Sequence, residues 1–191
     1  IDTFFSHSSR EYGLIAERPI QTRLGATVID RPPVPPQNRG MISAIWWSLK
    51  LRYWAYQHTT DDISNENRIR LYVLYHQARP NSALPHSLGL QKGLIGIIHA
   101  YADEKQSAQN LVVMAHEILH TVGATDKYDG QNQPVYPSGY AEPDKTPLYP
   151  QRYAEIMAGR IAISENTAKM PSSLRAARVG RMTAREINWI Q

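Results

Sequence analysis

Residues 116–126 read HEILHTVGATD, and their spacing demands a chemical explanation. Residues four apart on a helix lie on the same face, so His116 and His120 can present two imidazoles to one ion. Glu117 is displaced by about 100° around the helix, where it can reach a water molecule at that ion without being a ligand. This stretch therefore predicts an active-site helix with Glu117 in the position of a general base.

The residues that follow the second histidine return the chain toward it. Gly123 can adopt a positive φ at no steric cost, so it can end the helix and bring Asp126 back to the two histidines. The chain has no cysteine, so a metal ion must be held by His, Asp or Glu. Three such ligands with an open fourth position are typical of a catalytic zinc site. We therefore predict that Zn²⁺ is bound by His116, His120 and Asp126.

Composition predicts an ordinary globular protein. The 191 residues fit a single domain, and 42% of them are hydrophobic and 20% charged. The net charge of +4 is mild, so the arginines near residue 180 are expected to be solvated and no nucleic-acid partner is expected. No apolar run is long enough to span a bilayer.

The first residue is Ile1 instead of Met. We interpret this as the loss of an N-terminal segment, which favours an exported, periplasmic or membrane-anchored protein. Membrane contact is expected only if that segment is an anchor.

Periodicity predicts an α+β arrangement. Residues 41–58 and 110–122 have apolar positions at helical spacing, and 69–77 and 93–102 are dense in β-branched and aromatic residues. Residues 1–22 are expected to form an extended arm, 24–29 are compatible with a strand, and Pro80 and Pro85 lie in a predicted loop. Residues 127–152 hold five prolines and predict a long irregular loop. The predicted core face of the first helix consists of Ile42, Ile45, Trp46, Leu49, Tyr53 and Tyr56.

The end of the chain predicts a short helix. Thr183 and Glu186 have the spacing of a capping box, and Ile187, Trp189 and Ile190 follow.

With these residues in hand, the chain resembles the metzincin clan of zinc endopeptidases. The long motif of that clan is HExxHxxGxx followed by His or, in some members, Asp. Here the match comprises His116, Glu117, His120, Gly123 and Asp126. The clan also places a methionine-containing turn under the metal and then a C-terminal helix, and Met157 stands in that order.

The resemblance implies a zincin/metzincin-like fold within one catalytic domain of residues 1–191. A lobe of residues 1–123 would hold a mixed twisted sheet, a backing helix and the active-site helix. A small, loop-rich lobe of residues 124–191 would hold the turn of Met157 and end in a helix. The implied activity is a zinc-dependent metallopeptidase that hydrolyses peptide bonds with a metal-activated water and Glu117 as general base. Its substrate would be a peptide or protein in extended conformation, paired with the strand at 93–102.

Several alternatives stay open at this level. Asp129, Glu142 or Glu155 could replace Asp126 as third ligand. Any of five tyrosines could stabilise the oxyanion, namely Tyr128, Tyr136, Tyr140, Tyr149 and Tyr153. His76, His86 and His99 are expected to be surface or hydrogen-bonded histidines, not ligands.

The function has alternatives too. They are a zinc hydrolase of a non-peptide amide and a non-catalytic zinc-containing binding or scaffold module. A toxin or effector peptidase and a housekeeping protease fit the sequence equally.

Overall fold

The computed structural model describes residues 1–16, 18–36, 40–59, 68–78, 84–90 and 94–191. Within them the chain forms two compact units, Ile1–Thr22 with Ile69–Gln191, and Arg23–Arg68. Pro80 of the predicted loop and Gly93 of the predicted second strand lie outside the described residues. No described helix combines the length and apolarity needed to cross a bilayer.

The larger unit contains a mixed three-stranded sheet formed by β1 (Arg70–His76), β2 (Leu88–Leu90) and β3 (Ile95–Tyr101). Strand β3 lies in the centre, parallel to β1 and antiparallel to β2. The apolar side chains of β3 are buried on both faces, as a central strand requires. The strands predicted for 69–77 and 93–102 are thereby confirmed as β1 and β3. Strand β2 was not predicted, because three residues are too few to show an alternating pattern.

Helix α3 (Ser107–Thr121) packs against β3 and confirms the helix predicted for residues 110–122. It begins three residues earlier than predicted, because a 3-10 turn at Glu104–Gln106 leads directly into it. The carboxylate of Asp103 accepts a hydrogen bond from the Lys105 amide at 3.0 Å and caps that turn.

The first residues are helical, and the predicted extended arm is wrong. Helix α1 (Asp2–Glu11) buries Phe5, Ser8 and Ser9. Phe5 is fully buried and packs edge-on against Trp189, with ring centroids 6.5 Å apart. Two of the three buried positions are serines, so this segment lacks the apolar periodicity that predicts an amphipathic helix.

The chain after α3 has little regular structure. As predicted, the stretch 127–152 contains no helix or strand longer than an isolated bridge. Two small two-stranded sheets follow. In one, β4 (Ala154–Glu155) pairs in parallel with β7 (Ala177–Arg178). In the other, β5 (Ile161–Ser164) pairs antiparallel with β6 (Thr167–Lys169).

The predicted short C-terminal helix is confirmed as α4 (Arg181–Glu186), but it begins two residues before Thr183. Its N-cap is Gly180, so Thr183 lies inside the helix and forms no capping box with Glu186. Ile187, Trp189 and Ile190 lie beyond its last residue.

One hydrophobic core joins α1, α3, α4 and the segment between α3 and α4. Its buried members are Phe5, Val112, Ala115, Ile118, Leu119, Ala124, Ile156, Met157, Ala177, Val179, Ala184 and Ile187. The helix that carries the HEILH motif and the C-terminal segment therefore share a single core.

The smaller unit consists of helix α2 (Met41–Gln57) and the segment that precedes it. The helix confirms the prediction for 41–58, whereas residues 24–29 form no strand. The indole of Trp47 donates to the carbonyl of Pro33 at 2.8 Å. The predicted core face is wrong, since its six side chains are exposed and the buried positions are Leu51 and Ala55. Apolar residues occur on all sides of α2, so the pattern did not single out the buried face.

Candidate metal centre

The two histidines of the motif lie one turn apart on α3, and their Nδ1 atoms both have carbonyl partners. Nδ1 of His116 lies 3.0 Å from the Ile156 carbonyl oxygen, and Nδ1 of His120 lies 2.8 Å from that of Ala124. A carbonyl oxygen can only accept, so both Nδ1 atoms carry the hydrogen. In the neutral imidazoles each Nε2 is then left with a lone pair.

These lone pairs meet at one point together with a carboxylate. The Nε2 atoms of His116 and His120 are 2.9 Å apart, and Oδ1 of Asp126 lies 3.2 Å and 3.1 Å from them. Three acceptors at such distances repel one another unless a proton or cation lies between them. Tetrahedral ligands that lie about 2.0–2.1 Å from zinc are about 3.3 Å apart. The three donor atoms therefore fit a zinc ion with shifts of a few tenths of an ångström.

Asp126 reaches this point because the chain reverses directly after α3. Gly123 has φ 108°, a conformation that favours glycine, and the Ala124 amide donates to the Leu119 carbonyl at 3.0 Å. Thr125 is held from α4, since its amide and hydroxyl both donate to the carboxylate of Glu186 at 2.9 Å and 2.7 Å.

Glu117 lies beside the donor cluster in a buried position. Glu117 is 6% exposed, and its Oε2 accepts no hydrogen bond of regular geometry from the described residues, although the Gly89 amide is close enough to the carboxyl group to lower its pKa. Burial raises the pKa of Glu117, whereas the adjacent His116 and His120 oppose the rise. A buried carboxylate oxygen without a partner is costly, so it indicates a polar group that occupies this position in the working protein.

The charges within the cluster stabilise one another. Without a metal ion, a proton on Nε2 of His116 or His120 can be shared with Asp126. Burial raises the pKa of Asp126, but hydrogen bonds from the protonated rings outweigh it and hold that pKa well below its usual range. Burial lowers the pKa of His120, and hydrogen bonds from its protonated ring to Asp126 and to the Ala124 carbonyl more than reverse this. Asp126 is therefore a carboxylate at neutral pH, as a metal ligand must be.

Of the five tyrosines considered, Tyr128 lies at the cluster. Its ring stacks on that of His116, with centroids 6.4 Å apart, and its hydroxyl interacts with the Asp126 carboxylate. Burial, and secondly the charge of Asp126 and this interaction, raise the pKa of Tyr128 to about 12. The phenol consequently keeps its proton at neutral pH and remains a donor.

The other tyrosines have different neighbours. The hydroxyls of Tyr140 and Tyr149 are 2.9 Å apart, and Tyr136 packs edge-on against Tyr140. The ring of Tyr153 lies under the guanidinium of Arg178 at 3.7 Å.

Met157 is fully buried in a turn next to His116. The residue before it supplies the carbonyl that holds the His116 ring, and its own carbonyl accepts a hydrogen bond from the Lys127 amide at 3.0 Å. The turn ends at Gly159, with φ 65°. The backbone of Ile156 and Met157 thus contacts both His116 and the residue that follows Asp126.

The three competing acidic residues lie outside the cluster and have other partners. Oδ1 of Asp129 accepts hydrogen bonds from amides of its own loop, and Glu142 is paired with Arg152. Glu155 is fully buried and accepts from backbone amides and a hydroxyl. His116, His120 and Asp126 form the sole His, Asp or Glu group of at least three members in the described residues that could hold a metal ion.

Strand β2 lies beside the cluster and has one side without a paired strand in the described sheet. It pairs with β3 only over Ile95–Ile97, and the predicted pairing of the strand at 93–102 with an extended substrate stays a prediction. Gly89 of β2 lies so close to α3 that a Cβ there would be 2.6 Å from the Glu117 carbonyl oxygen and 2.8 Å from His120 Cβ. Sequence reasoning missed this glycine, although its isolated position between two leucines was a signal of close backbone approach.

Comparisons with known proteins leave the family open. No family model matches the chain, and no curated protein or solved structure is significantly similar to it.

Proposed function

We propose that the protein is a zinc-dependent metallopeptidase of metzincin type. The observation that carries the proposal is the convergence of two Nε2 lone pairs and a carboxylate oxygen beside the unpartnered oxygen of Glu117. His116, His120 and Asp126 would hold the ion. Zinc bound by them would supply the Lewis acidity that activates a water molecule and polarises a peptide carbonyl.

Glu117 carries the proton transfers in this proposal. Its unpartnered Oε2 accepts a proton from the attacking water and then delivers it to the nitrogen of the leaving amine. Burial, which raises the pKa of Glu117, favours this cycle because it brings the carboxyl group closer to the operating pH. Tyr128 supports Asp126 through its hydroxyl and keeps its proton.

An extended peptide is the substrate class that this site supports best. Strand β2 has an unpaired edge within the described sheet and lies against the helix that bears Glu117. A peptide that adds to this edge by main-chain hydrogen bonds would place a scissile carbonyl close to the donor cluster. A zinc hydrolase of a non-peptide amide would use the same site without requiring this edge.

A non-catalytic zinc module is the second candidate, and the surroundings of Glu117 argue against it. A purely structural site has no use for a buried carboxylate oxygen that lacks a partner.

The test combines metal analysis with peptide digestion. Anomalous scattering from crystals of the purified protein should show a zinc peak between His116, His120 and Asp126. Wild type should cleave members of a general peptide library, and Glu117→Gln should retain zinc but lose roughly 10²–10⁴-fold in rate. Glu142→Gln, which alters a carboxylate outside the cluster, is the matched control.

Each outcome has a distinct meaning. A peak at Glu142 or Glu155 would overturn the ligand assignment. Zinc at the site with no cleavage by wild type would favour the non-catalytic module, and equal cleavage by Glu117→Gln would remove Glu117 from the chemistry.

A further inference from the structure

Glu155 is a buried carboxylate that the proposed chemistry does not use. It is fully buried, and Oε2 accepts from the amides of Met157 at 2.6 Å and Ala158 at 3.0 Å. Oε1 accepts from the amide of Gly180 at 3.0 Å and the hydroxyl of Thr183 at 2.6 Å. The side chain therefore ties the turn of Met157 to the beginning of α4.

That turn directly orients one of the metal-site histidines. The carbonyl of Ile156, adjacent to Glu155, accepts the Nδ1 hydrogen of His116, and its amide donates to the Arg178 carbonyl at 2.8 Å. Any shift of the turn would rotate the His116 ring and move its Nε2 away from the other donors. Glu155 and Thr183 thus influence the His116 ring indirectly, through the carbonyl group of Ile156.

A second contact from α4 acts on the other side of the site. Glu186 accepts from the Nζ of Lys127 at 2.7 Å with both oxygens, and from the amide and hydroxyl of Thr125. Lys127 is 5% exposed, so this ion pair is largely removed from water. Asp126 stands between these two tethered residues, so its backbone is held beside the cluster.

Both contacts come from one face of α4. Thr183 and Glu186 are three residues apart, so their side chains are neighbours on the helix surface. Thr183 contacts Glu155 below His116, and Glu186 contacts the segment that carries Asp126. A single short helix thereby connects to two of the three metal-binding side chains.

We propose that Glu155, Thr183 and Glu186 are positioning residues that hold His116 and Asp126 in metal-binding geometry. This inference rests on the proposed function of the same site. None of the three touches the ion. Their contribution is to fix the donor atoms within the few tenths of an ångström that a tetrahedral site tolerates.

Substitutions of the α4 residues separate positioning from a purely structural role. Thr183→Val keeps the shape but removes the hydroxyl, Thr183→Ser keeps the hydroxyl, and Glu186→Gln removes the charge next to Lys127. Glu142→Gln is the matched control, because it removes a paired carboxylate of the same region that does not contact the site. Ile161→Val, a core truncation outside this network, calibrates the effect of lower stability alone.

The measurements are zinc affinity by chelator competition and the thermal midpoint of the metal-free protein. Thr183→Val and Glu186→Gln should bind zinc roughly 10- to 100-fold more weakly, while Thr183→Ser and Glu142→Gln stay within about twofold of wild type. If the affinity losses equal those of Ile161→Val at the same thermal midpoint, or if Thr183→Ser is as impaired as Thr183→Val, the three residues are structural and the proposal fails.

A readout in the metal-free protein separates this inference from the proposed function. NMR of the imidazole nitrogens should show His116 protonated at Nδ1 in wild type and in Glu142→Gln. In Thr183→Val the Nδ1 hydrogen should exchange faster or move to Nε2. If wild type binds no zinc but these changes occur, the proposed function fails and positioning stands. Identical spectra in all variants would overturn positioning whether or not zinc binds.

Discussion

Two pairs of histidines in this molecule have almost the same nitrogen–nitrogen distance but different surroundings. On α3, Nε2 of His116 lies 2.9 Å from Nε2 of His120. On the sheet, Nε2 of His76 on β1 lies 2.8 Å from Nδ1 of His99 on β3. We call these the helix pair and the sheet pair.

The partners of the remaining nitrogens distinguish the pairs. In the helix pair both Nδ1 hydrogens are committed to carbonyls, so two lone pairs face each other and a carboxylate. In the sheet pair one ring can donate to the other, and no His, Asp or Glu group of at least three in the described residues includes it. Burial, and secondly the charge of His76, lower the pKa of His99 and favour its neutral form. The second ring nitrogen, not the contact distance, decides whether a histidine pair calls for a cation.

Removal of one histidine from each pair gives the largest contrast. His120→Ala deletes one of three donors and should weaken zinc binding by at least ~10³-fold, whereas His99→Ala should leave it unchanged. Chelator competition measures both affinities. A comparable loss in His99→Ala would mean that the sheet pair also holds metal and that the comparison is wrong.

Gly89→Ala should disturb the helix pair alone. The added Cβ would overlap the Glu117 carbonyl oxygen at 2.6 Å, so β2 or α3 must shift, at a cost of about 1–3 kcal/mol in the free energy of unfolding. Zinc affinity should fall with it because His120 moves. Urea unfolding supplies the measurement, and Gly130→Ala, where a Cβ has no neighbour within 4 Å, is the control. Wild-type stability in Gly89→Ala would show that the approach is not tight.

Met157→Leu tests how far the turn below the helix pair depends on its side chain. The exchange nearly conserves volume in a fully buried site, so it should cost less than about 1.5 kcal/mol in the free energy of unfolding. Zinc affinity should remain close to wild type, since the Ile156 carbonyl, not the thioether, contacts His116. A large loss of affinity in this variant would assign Met157 a direct role.

The sheet pair should produce a small pH dependence of stability. Folding lowers the pKa of His99 below its ordinary value of 6.5. The stability that the neutral ring contributes is therefore fully present above pH 6.5, and it is lost as the pH falls from 6.5 through the lowered pKa of the folded state. His99→Gln should remove this loss, and His86→Gln, at an exposed position, should not. Urea midpoints between about pH 5 and 8 provide the test. An unchanged slope in His99→Gln would assign the dependence to another group.

The three donor residues of the site were predictable from the sequence, because they lie within eleven residues of one another and local backbone geometry brings them together. Helical spacing puts His116 and His120 on one face, and one glycine returns Asp126 within six residues. The strands β1 and β3 and helix α3 were also predictable, because each has a period long enough to detect. Whether Zn²⁺ binds there stays a prediction.

The remainder depended on tertiary contacts that leave no local pattern. Helix α1 has serines at two of its buried positions, and β2 has only three residues. Thr183 and Glu186 have the spacing of a capping box, but each side chain binds a group distant in sequence. The interpretation of this spacing as a capping box was wrong, and only the fold reveals the partners of the two side chains.

The hydrogen bond between His116 and Ile156 also sets an order of assembly. Ile156 lies forty residues after His116, so a nascent chain that has just produced the histidine motif still lacks the acceptor that fixes the first ring. Thr183 and Glu186 emerge later still. If the site binds zinc as proposed, uptake of the ion would be delayed until the C-terminal segment has packed, and a partly synthesised chain would lack the complete donor cluster.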